Sequence, residues 1–204
     1  MKTIKKDFML FCFSLLFLIL TGCTATLKFT YLNQKSLSER KITNEIPVYF
    51  SVIDKRAQPD IIGYMDNAYG MRAKKIKSSE MDISNSIYIK YKEELSKLGF
   101  IFSENPNNSP LKLTLTITTF IGEMRTGVFS LNTTATCCMK ALLTAGDENN
   151  PLYKGNFCGK GEKSTAIVAG KKDIPAALSL AVDDVLRKLA DETELINQVN
   201  TFNR

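Results

Sequence analysis

The 204-residue chain contains no histidine. That absence excludes Ser-His-Asp and Cys-His nucleophile arrangements and any histidine-ligated metal site. The chain also lacks a phosphate-cradling glycine loop, a dinucleotide fingerprint and an internal repeat. Long apolar runs are as scarce. Residues 8–20 form the one such stretch, and nothing after it approaches the roughly 18 residues that a membrane-spanning helix needs. What is present is ordinary: 44% hydrophobic and 24% charged residues argue for a globular domain rather than a disordered or fibrous chain.

The apolar run follows a basic start, Lys2, Lys5 and Lys6, and closes on the small residues Thr21-Gly22. A basic, apolar and small-residue sequence of segments reads as a secretory signal peptide. As a helix the run reaches about 20 Å, short of the roughly 30 Å hydrocarbon core. Its end, Leu20-Thr21-Gly22-Cys23, resembles the lipobox of bacterial lipoprotein precursors. The resemblance implies that residues 1–22 are removed and that Cys23 becomes the first mature residue. It would carry a diacylglycerol thioether and an N-linked acyl chain such as palmitate. The alternative is a plain secretory leader that leaves Cys23 unmodified. Thr24 follows where an inner-membrane retention signal has aspartate, so the expected place is the periplasmic face of the outer membrane. Losing residues 1–22 lowers the net charge from +6 to +4, which does not suggest a nucleic-acid binder.

The mature chain is expected to divide into residues 23–45, holding the lipidated cysteine, a short strand at 26–32 and a polar linker, and a single α+β domain over 46–204. Residues 46–54 are β-branched and aromatic, with Val48, Phe50 and Val52 on one face of a strand. Residues 56–77 are less regular and end in the basic run Arg72, Lys74, Lys75, Lys77, which reads as a solvated edge or as an anionic-lipid contact. Ile83, Ile87, Tyr91, Leu95 and Leu98 recur at helical spacing, with Ser78, Ser79 or Asp82 as caps and Gly99 as the stop. Residues 100–110 read as a loop. Leu111, Leu113, Leu115 and Ile117 alternate with polar neighbours in a half-covered strand, followed by a turn at 122–127. Two further strands return over 128–145 and 152–168. Asp173 opens a last helix whose buried side is Leu178, Ala181, Val182, Val185, Leu189, Thr193 and Ile196. The expected order after the N-terminal strand is therefore β-α-β-β-β-α. It gives an antiparallel sheet of four to five strands with both helices on one face.

Cys137, Cys138 and Cys158 remain after the leader and the lipid site are set aside. An exported chain meets an oxidising compartment. Strand parity turns Cys138 and Cys158 to the same, polar face, and a hairpin centred on Glu148 sets them opposite one another. They are the expected disulfide, with Cys137 buried and free. A metal site is the competing reading, but neighbouring cysteines on a strand diverge and no histidine completes the set. The pairs Asp183-Asp184 and Glu93-Glu94 sit on helices where neighbours diverge, so no catalytic residue, resident metal or cofactor is expected beyond the lipid on Cys23.

In order and spacing the chain resembles the YajG-type family of Gram-negative lipoproteins. The likeness rests on residues 52–56 (VIDKR) closing a strand, Ile62-Gly63, residues 95–100 (LSKLGF) at a helix exit, the Leu-x-Leu-x-Leu strand from Leu111, the turn near Asp147 and the Ala-rich final helix. The resemblance implies an α+β lipoprotein and supplies no catalytic residues. Three functional readings follow: a non-catalytic binding or scaffold module for an envelope protein, using the polar sheet face or an open edge; an accessory of an envelope lipid or lipopolysaccharide transport system; and a hydrolase.

Overall fold

The structure, a computed structural model, describes residues 41–66, 71–78, 82–126, 130–146, 150–166 and 173–202. Cys23, the leader and the expected strand at 26–32 lie outside these residues. The described elements are β1 (Pro47–Asp54), β2 (Ile61–Asp66), β3 (Arg72–Lys77), α1 (Ile83–Lys97), β4 (Ile101–Ser103), β5 (Leu111–Thr126), β6 (Ser130–Thr144), β7 (Tyr153–Ala166), α2 (Asp173–Ala190) and α3 (Thr193–Thr201), with a 3-10 turn at Pro106–Asn108. The α+β class therefore stands, but with seven strands and three helices among the described residues rather than four to five and two.

The sheet is mixed, not antiparallel. The long strand β5 is its spine. Antiparallel β6 lies along one side, and β7 pairs beyond it. The other side of β5 forks: β1 runs parallel to its first half and β2 parallel to three residues near its end. Beyond β1 lies β4, and beyond β2 lies β3. The stretch at 56–77 thus folds as a hairpin extending one branch, and the loop at 100–110 contributes a strand to the other. The charged composition of β3 hid it from periodicity: Arg72, Lys74, Lys75 and Lys77 are exposed, and Ile76 packs partly against the core.

A register shift between Ile117 and Thr119 bulges β5. Before it the buried residues are Leu111, Leu113, Leu115 and Ile117; after it they are Phe120 and Met124. The extra residue flips the alternation, and β5 runs on to Thr126, where a turn at 122–127 was expected.

One face of the sheet carries the core with α1 and α2. Asp82 caps α1, its carboxylate accepting from the Asn85 N–H at 2.9 Å. At the far end Gly99 takes φ +97°, and the Phe100 N–H reaches back to the Leu95 carbonyl. That left-handed exit suits glycine. Its missing Cβ also leaves room for the Ile42 carbonyl, which would lie 2.5 Å from it.

Helix α2 rests on β7 at backbone distance. A Cβ on Gly159 would fall 2.1 Å from the Ala181 carbonyl, and one on Gly161 1.9 Å from the Ala177 carbonyl. Small residues on both sides bring helix and strand together. The expected single last helix breaks at Asp191-Glu192, where the Glu192 N–H turns to the Leu189 carbonyl and the Glu192 carboxylate caps α3. Thr193 is consequently exposed rather than buried. Helix α3 then clasps the entering chain, Asn44 donating to the Val199 and Phe202 carbonyls.

Candidate functional site

A concavity beside β1 follows from the short length of β4. On that side β1 is paired only over Pro47–Tyr49. The Lys55 N–H donates to the Ile117 carbonyl at 3.1 Å. Backbone groups alternate along a strand, so odd-numbered residues of β1 turn to β5, and Val52 turns its N–H and carbonyl the other way. This open edge floors a groove of about 360 Å³ lined by Tyr49, Phe50, Ser51, Val52, Asp82, Ser84, Asn85, Tyr88 and Glu104. Phe50 stacks on Tyr88 with ring centres 5.4 Å apart, giving the groove a rigid aromatic wall. Lys92 pairs with Glu104 at its rim. The hydrogen bond that Lys92 donates to Glu104 holds its ammonium above the ordinary lysine range.

Arg56 closes the fork between β1 and β2. Its guanidinium grips the Asp54 carboxylate from Nε and Nη2. It also donates to the carbonyls of Pro59, Ile61 and Phe120. The side chain is 5% exposed and lies over the Phe120 ring, 5.4 Å from its centre. Partial burial pushes the Asp54 carboxyl up, but the Arg56 hydrogen bonds outweigh it and hold the group below the usual carboxylate range. Every donor of this arginine is directed at the fold, so a pocket of about 190 Å³ beside it, lined by residues including Gln58, Tyr64 and Thr119, offers no spare charge for a substrate.

Between α1 and α2 lies a polar cluster that sequence reasoning missed. Lys90 Nζ sits 2.9 Å from Asp183 Oδ1, both side chains 5% exposed. Burial pushes the Asp183 carboxyl up, Lys90 opposes that shift, and nearby Glu94 adds to it. Glu94, itself buried, takes Lys97 at 2.9 Å. Tyr91 donates to the Val182 carbonyl at 2.8 Å. Glu93 and Glu94 share the Lys97 ammonium, at 3.5 and 2.9 Å, and Glu94 is near enough to Asp183 across the helix interface to raise its carboxyl. Helical spacing of Lys90 with Tyr91 and Glu94 was the available signal. The cluster is enclosed, so it joins helices and does not face a substrate.

Cys138 and Cys158 stand directly opposite in the β6–β7 register and are bonded, with Cα atoms 4.1 Å apart. Cys137 points into the core as a free thiol, and burial pushes it up to about 12, so it carries no reactive thiolate. The basic run forms edge strand β3. Arg72 lies 4.4 Å above the Tyr64 ring and pairs with Glu123 at 2.9 Å, and Lys77 stands 3.8 Å from Asp60; Lys74 and Lys75 are exposed. Among the described residues no three Cys, Asp or Glu side chains converge as a metal set. No described helix is long and apolar enough to cross a membrane.

A family model described as an uncharacterized lipoprotein matches residues 34–200. No curated protein matches the chain. Among solved structures, a protein from Xanthomonas campestris superposes with a TM-score of 0.53 at 12% identity, over 85% of this chain and 94% of its own. A Helicobacter pylori protein described as a homolog of a neuraminyllactose-binding hemagglutinin gives 0.49 at 10% identity, over 85% and 96%. A minor lipoprotein from Acinetobacter baumannii gives 0.39 at 8% identity, over 74% and 96%. At such identities the likeness to the Xanthomonas protein is one of fold alone.

Proposed function

The chain belongs to this family of uncharacterized lipoproteins, and from that premise we propose that its mature form is acylated on Cys23 and faces the periplasm from the outer membrane. There it acts as a non-catalytic binding module for an envelope protein. The observation that carries this reading is the open edge of β1. An extended segment of a partner can add to that edge as a strand, with Val52 supplying main-chain hydrogen bonds and the Phe50–Tyr88 wall supplying side-chain contact. Main-chain pairing gives the affinity, and the groove beside it selects the side chains.

A photocrosslinker at Ser51, used in intact cells, tests this. The expected product is one envelope protein joined through an extended segment. Its yield should fall in Val52→Pro, which removes the edge N–H, and persist in Val52→Thr, which keeps it. Equal yields in the two variants would exclude strand addition. Recovery of acyl lipid at Ser51 would instead favour the reading as an accessory of lipid transport. Intact mass of the native protein tests the anchor separately: the expected N-terminus is an acylated Cys23, and a retained Met1 or a bare Cys23 would remove it.

A further inference from the structure

The sheet face turned away from the helices has a charge pattern that the edge groove does not use. Cross-strand register places its side chains in rows. Lys112 lies beside Thr144; Thr114, Leu142 and Lys154 form the next row; Thr116, Lys140 and Asn156 the one after. The Cys138–Cys158 bridge follows, and then Ile121, Thr136 and Lys160. Strand and residue spacings put each lysine roughly 8–14 Å from the next. Lys140, Lys154 and Lys160 are exposed and Lys112 half-exposed. Among the described residues of these rows there is no acid. Acids begin one row further on with Glu123 and Glu162, and Glu123 is already held by Arg72 and Arg125.

We infer that this lysine face lies against an anionic lipid surface. Its composition decides between a bilayer and a protein. Protein interfaces are depleted of lysine and centre on buried aromatic or arginine anchors. Between these lysines stand the short polar side chains of Thr114, Thr116, Thr136 and Asn156, with Leu142 beside Lys154. The rows continue onto β1, with Tyr49 beside Lys112 and Ile53, 41% exposed, beside Thr116. Four lysines with no acid in their rows match a layer of anionic headgroups, where each lysine strengthens binding about five-fold. The inference rests on the proposed anchor only for proximity. Seventeen residues separate Cys23 from Lys41. They can span at most roughly 55 Å, which bounds the distance between the domain and the anchored cysteine. With the lysine face down, the β1 edge is presented sideways to a partner.

The full chain purified from membranes is reconstituted into vesicles of phosphatidylcholine alone or mixed with phosphatidylglycerol, and its lysines are labelled with an amine-reactive reagent and mapped by mass spectrometry. In the mixed vesicles Lys112, Lys140, Lys154 and Lys160 should label at least about five-fold more slowly, with Lys97 and Lys188 of the helical layer unchanged. High salt should abolish the protection. Lys140→Gln should reduce protection of the other three by about five-fold; all four sites are solvated, so the fold survives the change. Equal labelling in the two vesicle types overturns the inference. So does protection indifferent to salt, or protection that appears only when acidic envelope proteins are added. Intact mass of the same sample reads the anchor independently: an unacylated chain whose four lysines are protected would sink the anchor and keep the face.

Discussion

Arg56 satisfies three carbonyls and one carboxylate where two branches of a sheet part, and no amine has enough correctly forked donors to replace it. Arg56→Lys should cost about 3 kcal/mol in urea unfolding, since it strands buried acceptors. Its partner Asp54 sets a pH dependence. The folded carboxyl lies below its unfolded value near 3.8, so its contribution is full above that value and fades as pH falls through the folded one. Asp184, which Lys188 and Arg187 also hold low despite some burial, acts in the same sense; Asp183, pushed up by burial, acts in the opposite one. Acid melts below about pH 4 should therefore be less steep in Asp54→Asn than in the native chain. Gly161 makes the third residue-scale case. In an exposed strand Gly→Ala is mildly favourable, but here the methyl would meet the Ala177 carbonyl. Gly161→Ala should destabilise by about 1–3 kcal/mol, read from the urea midpoint at unchanged slope.

At the scale of elements, α1 and α2 are joined by apolar packing and by one enclosed ion pair. Breaking the pair from one side leaves a buried charge, so Asp183→Ala should cost about 3–5 kcal/mol. Lys90→Met combined with Asp183→Leu should return most of that loss, because two apolar groups need no partner. A double variant as unstable as the single one would show that the pair is worth more than its replacement. Helix α1 was legible residue by residue, since its apolar stripe, its Asp82 cap and the Gly99 stop are local signals. Strands β3 and β4 were not. Each is short and lies at an edge, so each derives its state from the strand beside it rather than from its own periodicity.

At the scale of the molecule, one core lies between the sheet and the helices, and the Cys138–Cys158 bridge staples the two long strands beside it. The bridge closes a separation of 20 residues, which should contribute roughly 3 kcal/mol. Cys138→Ser with Cys158→Ser should lower the urea midpoint accordingly, and reducing agent should have no effect on that variant. The pairing was readable because strand parity and the hairpin's centre are properties of sequence distance alone.

The sequence by itself determined the α+β class, the face of nearly every long element and the cysteine register, because period and parity are carried by the residues in place. Tertiary structure decided the rest. The parallel fork of β1 and β2 on β5, the bulge that flips β5, the contact of α2 with Gly159 and Gly161, and the open edge of β1 all depend on which distant strand lies alongside. No local pattern encodes a neighbour brought from sixty residues away, so the groove beside β1 became visible only once the sheet was assembled.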